Sequence, residues 1–106
     1  MSVIILKVGT SVVTDVNGQL DTDRIAGMVT EMSVIIKDGY RFILITSGAV
    51  ACGRAVLTEY SDSGASNNLN LDENLQLRMS VAIGQPILFQ AYQRNLSDNN
   101  VVSAQV

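Results

Sequence analysis

The chain has 106 residues, of which 47% are hydrophobic, 16% charged and 5% aromatic, with a formal net charge of −3. That is one domain's worth of chain, able to bury about 65% of its unfolded surface, which excludes wholesale disorder and fibrous repeats. Its seven basic residues stand singly, aromatics are few, and no apolar run approaches the roughly 20 residues that span a bilayer, so neither nucleic acid nor membrane is an expected partner.

Val3 to Val8 (VIILKV) is a short apolar run rich in β-branched residues, stopped by Gly9. A continuous run of this kind suits a strand covered on both faces, as in a parallel sheet. After a Gly9-Thr10-Ser11 turn, Val12 to Thr14 reads as a short extended piece, and Asn17-Gly18 as a hairpin turn. Asp21 or Thr22 then caps a helix. Its apolar positions, Ile25, Met28, Val29, Met32, Ile35 and Ile36, recur at three and four residues and define one buried face. Lys37 suits the last turn, and Gly39 the left-handed position beyond it.

Phe42 to Ile45 reads as a second buried strand, followed by Ser47-Gly48 and a helix of small residues from Ala49 to Ala55. The strand, helix, strand spacing predicts a right-handed βαβ crossover. From Thr58 to Asn70 the chain turns polar, which predicts a solvated loop. Asp72 opens a long helical pattern that Gly84-Gln85-Pro86 interrupts, so a kink or two abutting helices is expected there. Val101 to Val106 reads as the start of a third strand. The expected fold class is therefore α/β: part of a three-layer sandwich on a mostly parallel sheet with βαβ crossovers, residues 1–106 forming a portion of one larger domain.

The chemistry is bounded by what is missing. There is one cysteine and no histidine, so an internal disulfide, a zinc constellation and any Ser-His or Cys-His nucleophile pair are excluded. No metal-ligating residue is singled out. The N-terminus has no basic stretch leading into an apolar one with a cleavage site, so no signal peptide is expected, and a reducing cytoplasmic setting is the default.

Two places draw attention. Lys7 lies in an otherwise apolar strand just before a Gly-Thr-Ser turn. An ammonium there needs an anion or an exit at the sheet's end, and in parallel sheets ligands sit beyond the carboxyl ends of the strands. Phosphate binding by Lys7 and the turn amides stands beside a plainer reading, a lysine snorkelling to solvent. Thr46-Ser47-Gly48 likewise runs from a strand into a helix, where free amides face whatever lies above the sheet. Ser47 there serves either as a helix cap or as a donor to a ligand. Gly48 to Gly53 has P-loop spacing, but Arg54-Ala55 follows in place of Lys and Ser/Thr, so the phosphate lysine and the magnesium hydroxyl of a P-loop are both missing. Cys52 reads as a small core residue, and Gly84 as a packing glycine.

Taken together, Lys7-Val8-Gly9-Thr10-Ser11, the run Thr46-Ser47-Gly48-Ala49-Val50-Ala51-Cys52-Gly53-Arg54, and Val81-Ala82-Ile83-Gly84-Gln85 resemble the amino acid kinase family, and within it the glutamate 5-kinase branch. The resemblance implies transfer of the ATP γ-phosphoryl group to the glutamate side-chain carboxylate, the first step of proline synthesis, with Mg2+ between the phosphates. By position it implies Lys7 as the phosphate-contacting, catalytic lysine, with Gly9, Thr10 and Ser11 at the nucleotide's phosphate end. Ser47, Gly48 and Ala49 would face the amino acid. It also implies a homo-oligomer at full length, and a domain more than twice as long, so that these 106 residues would be an N-terminal part, inactive alone. A related kinase with another acceptor, a non-catalytic anion-binding or oligomerisation module, and a small α/β domain without ligand are the alternatives.

Overall fold

A computed structural model of the chain describes residues 2–62 and 72–106, apart from the side chains of Ser61 and Asp62. Two strands, β1 (Val3–Val8) and β2 (Arg41–Thr46), pair in parallel, Val3 opposite Arg41 through Val8 opposite Thr46. Between them the chain makes one helical turn, α1 (Thr10–Val13), and a 16-residue helix, α2 (Thr22–Lys37). After β2 come α3 (Ala49–Asp62) and a 26-residue helix, α4 (Glu73–Asp98).

Each long element starts and stops where its residues dictate. The Asp21 carboxylate accepts the Arg24 amide at 3.1 Å, and the Asp72 carboxylate accepts the Leu75 amide at 2.8 Å, so both helices open on a side-chain cap. Gly39, at φ +99°, ends α2 in the left-handed region, its amide donating to the Ile36 carbonyl. At the end of α4 Asn100 takes the same role at φ 62°. The Val101 amide reaches back to Leu96 and the Asn100 amide to Ser97, the paired bonds of a Schellman closure.

The core lies between one face of the sheet and the two long helices. Val8 of β1, Val13 of α1, Ile25 and Val29 of α2, and Leu88, Tyr92 and Leu96 of α4 form one buried cluster, with Leu6 and Leu44 packed against it. Burying an Ile or Leu side chain this fully contributes about 1.5–3 kcal/mol each. Two serines lie inside, and each answers its own hydroxyl: Ser33 donates to the Val29 carbonyl and Ser80 to the Gln76 carbonyl, both at 2.8 Å.

Five sequence expectations change. The strands are covered on one face only: Val3, Ile5, Ile43 and Ile45 are 50–67% exposed, because α2 and α4 both pack on the opposite side. The described residues thus form an α/β arrangement with a two-stranded parallel sheet and its helices on one face. Val12 is helical, as part of α1, and only Thr14 is extended, bridging antiparallel to Leu20 across the Asn17-Gly18 turn. The segment from Thr58 to Asp62 continues α3 rather than opening a loop, and residues 63–70 of that expected loop lie outside the described residues. Helix α4 runs through Pro86 as one helix rather than two abutting ones, with Pro86 and Ala82, whose carbonyl loses its donor, both on the solvent side. Val101 to Val106 forms no strand. It runs beside the outer edge of β2, lining with it a groove of about 780 Å³, with Val102 fully open to solvent.

Candidate functional site

Parallel pairing brings both strand ends to one edge of the sheet. Lys7 stands opposite Ile45 and Val8 opposite Thr46, and the ladder continues one step further: the Ser47 amide donates to the Val8 carbonyl at 2.8 Å. The residue after each strand therefore opens its turn beside the other. Lys7 and Ser47 lie at the same end of the fold, as the sequence reading required.

The strand alternation puts Lys7 on the uncovered face with Val3 and Ile5, and its side chain is exposed. No carboxylate among the described residues pairs with it; the one ion pair there is Arg24–Asp21 at 3.8 Å. Its ammonium is thus solvated rather than buried, and reaches water at the sheet's end as expected of a cation in an apolar strand.

Gly9 is extended at φ −79° and its carbonyl accepts the Val12 amide, which starts α1. Thr10 and Ser11 are exposed on that turn. The Thr10 carbonyl takes both the amide and the hydroxyl of Thr14, and the Arg24 guanidinium donates to the Ser11 carbonyl at 3.3 Å. In the sequence Arg24 is one of seven scattered basic residues. It fastens α1 to the first turn of α2, and only the fold reveals this.

Ser47 does not cap α3. The Gly48 carbonyl accepts the Cys52 amide, so Gly48 holds the cap position, and the exposed Ser47 hydroxyl has no partner among the described residues. Gly48 itself is buried at φ +120°, a region costly to any residue with a Cβ. A Cβ there would also stand 2.8 Å from a Val13 methyl. The Ser47–Ala49 turn is therefore seated directly on α1, and the two turns singled out in the sequence form one surface.

Two further residues support this edge. Thr46 donates its hydroxyl to the Ser47 carbonyl at 3.1 Å and lies 2.8 Å from the Tyr92 hydroxyl. In the second bond either hydroxyl can serve as the donor. A tyrosine in an apolar helical stripe signals such a need, because its hydroxyl must find a partner. Burial pushes the Tyr92 hydroxyl's pKa upward, and the bond with Thr46 partly offsets this. Cys52 is buried in α3 and desolvation raises its thiol, which makes it inert packing rather than a nucleophile. Among the described residues no three Asp, Glu, Cys or His side chains cluster as metal ligands, and no helix is long and apolar enough to cross a membrane.

An exposed, unpaired lysine and a serine hydroxyl without a partner among the described residues thus share one edge, at the carboxyl ends of two parallel strands of an α/β protein. The comparisons are specific within that class. Over 103 residues, 97% of its length, the chain is 37% identical to the glutamate 5-kinase of Trichlorobacter lovleyi. It is 33% identical over 107 residues to that of Streptococcus suis, and 34% identical over 105 residues to delta-1-pyrroline-5-carboxylate synthase 2 of Oryza sativa subsp. japonica. In each case 97% of this chain is matched, against 25%, 26% and 14% of the relative. The chain is glutamate-5-kinase-like nearly end to end, and spans about a quarter of the length of those kinases. No family model matches it.

Proposed function

We propose that the chain is the N-terminal portion of a single amino acid kinase domain that phosphorylates the side-chain carboxylate of glutamate, using ATP in the cytoplasm. The observation that carries this is the Ser47 amide to Val8 carbonyl bond, which joins the lysine-bearing turn to the serine-bearing one. A phosphoryl transfer between two anions needs both held at one rim, and positive charge with N–H dipoles must face each.

In this reading Lys7 contacts the transferring phosphoryl group, and Gly9, Thr10 and Ser11 line the phosphate end of the nucleotide. The Ser47 hydroxyl and the backbone of Gly48 and Ala49 hold the amino acid. A carboxylate oxygen of glutamate attacks the γ-phosphorus, the bond to the β-phosphate oxygen breaks, and ADP leaves with γ-glutamyl phosphate as product. Lys7 offsets charge on the group in transit. Mg2+ would arrive with the nucleotide as part of the substrate, held mainly by its phosphates. The relatives' further length would supply the remaining contacts and a homo-oligomer interface, so these 106 residues alone would turn over little or not at all.

Calorimetry on the chain tests the assignment. ADP binding lost in Lys7→Ala but kept in Ser47→Ala, with L-glutamate showing the reverse, supports it. Identical responses of both ligands to both variants, or sustained glutamyl hydroxamate formation by the 106 residues alone, contradict its respective halves.

A further inference from the structure

Helices α3 and α4 cross with their backbones in contact, and the contact is made at two glycines. A Cβ on Gly84 would overlap the carbonyl oxygen of Ala49 and stand 2.7 Å from the amide nitrogen of Gly53. A Cβ on Gly53 would overlap the carbonyl oxygen of Ser80 and stand 2.7 Å from its Cα. Residues 49 and 53 on α3, and 80 and 84 on α4, are each one helical turn apart, so one row of each helix lies against the other. Glycine weakens a helix interior, and two of them here are explained by the close approach they permit. Gly27 of α2 is the contrast: a Cβ there meets nothing within 4 Å.

We propose that Gly84, with Gly53 opposite, is a positioning residue for the substrate-facing turn Ser47–Ala49. This rests on the reading of that turn given above. Ala49 is the first residue of α3, and its carbonyl is the group that Gly84 abuts. On the other side the turn is backed by α1, where a Cβ on Gly48 would stand 2.8 Å from a Val13 methyl. The turn is held between α4 and α1, and the thickness of the α3–α4 crossing sets where it stands. An added methyl group at position 84 meets backbone, which cannot swing aside as a side chain can. The displacement therefore passes to Ala49, Gly48 and Ser47, and beyond them through the Ser47–Val8 bond and the Val13 contact, while the body of β1 is held by its pairing with β2 and stays.

The test compares Gly84→Ala and Gly53→Ala with Gly27→Ala in the whole chain, by amide NMR and by reaction of the single cysteine, Cys52, with a thiol reagent. Both crossing variants should shift the amides of Gly48 and Ala49, leave those of Ile5 and Lys7 in place, and speed labelling of Cys52, which is 5% exposed. L-glutamate binding should weaken about tenfold or more and ADP binding less than about twofold, since ångström-scale misplacement acts at that level. Gly27→Ala should change none of these. A stabilising osmolyte keeps marginal variants folded for the measurement. Shifts spread evenly over the chain, or unchanged shifts at Gly48 and Ala49, overturn the proposal. So does failure of both crossing variants to fold even in osmolyte, which would make the crossing a requirement of the whole fold. If the unmodified chain does not bind L-glutamate, the functional reading of the turn fails, while the amide and Cys52 measurements still decide the positioning.

Discussion

The Tyr92 hydroxyl lies 2.8 Å from that of Thr46, which passes its own proton on to the Ser47 carbonyl. A residue near the end of α4 thus holds the last residue of β2 and the first peptide beyond it. Tyr92→Phe should keep the packing and lose one bond, costing about 1 kcal/mol. For a chain of this size that lowers Tm by about 5 °C. Thermal unfolding followed by circular dichroism measures it, and an unchanged Tm would show the bond to be energetically idle.

Alkaline pH should destabilise the fold in two stages. Burial raises the Cys52 thiol above its ordinary 9.0 and the Tyr92 hydroxyl above its ordinary 10.0. Above those values the unfolded chain gives up protons that the folded chain retains, so stability is full below about pH 9 and falls as pH rises past it. Urea midpoints should decline first through the thiol's range and further through the phenol's. Cys52→Ala should remove the first stage and leave the second.

Three glycines should answer alanine substitution in opposite directions. Gly27 lies in the interior of α2 with open space around it, so Gly27→Ala should stabilise by about 0.5–1 kcal/mol. At Gly39 space is also free but φ is +99°, so alanine should cost about 1–2 kcal/mol through backbone strain alone. Gly48→Ala adds the Val13 methyl group to similar strain and should cost more than Gly39→Ala. Denaturant unfolding of the three variants gives the order directly.

The two sides of the sheet should differ sharply in tolerance. Ile5 and Ile43 pair on the uncovered face at 67% and 53% exposure, so Thr at both should change stability by about 0.5 kcal/mol or less per site. Leu88 is fully buried, and Leu88→Ala should cost about 2–5 kcal/mol. Chemical unfolding separates the two cases.

What could be read from the residues was whatever depends on near neighbours in the chain. Asp21, the three-and-four spacing from Ile25 to Ile36, and Gly39 delimit α2 because cap, stripe and stop are local. The parallel pairing of VIILKV with RFILIT followed from the helix between them. Ile35 is the exception within that stripe, at the edge of the buried arc and 36% exposed. Coverage of the strands was not legible: Ile5 is as apolar as Leu6, and only what packs on each face distinguishes them. Nor was the fate of Val101 to Val106, whose composition suits a strand but whose backbone bonds need an edge aligned to receive them. Residues Thr58 to Asp62 look loop-like by composition, yet continue a helix lying along α4 and joined to the hairpin by a Gln19–Glu59 contact at 3.4 Å. At the rim, Lys7 and Ser47 could be named from type and spacing, whereas Arg24, Tyr92 and the Gly53–Gly84 contact act across elements.

The bond from the Ser47 amide to the Val8 carbonyl couples two turns through a single shared proton. Opening either one by fluctuation should release the same hydrogen to solvent. The deuterium uptake of that one peptide therefore gauges the rigidity of both halves of the rim, and a molecule clasped by either half alone should slow it.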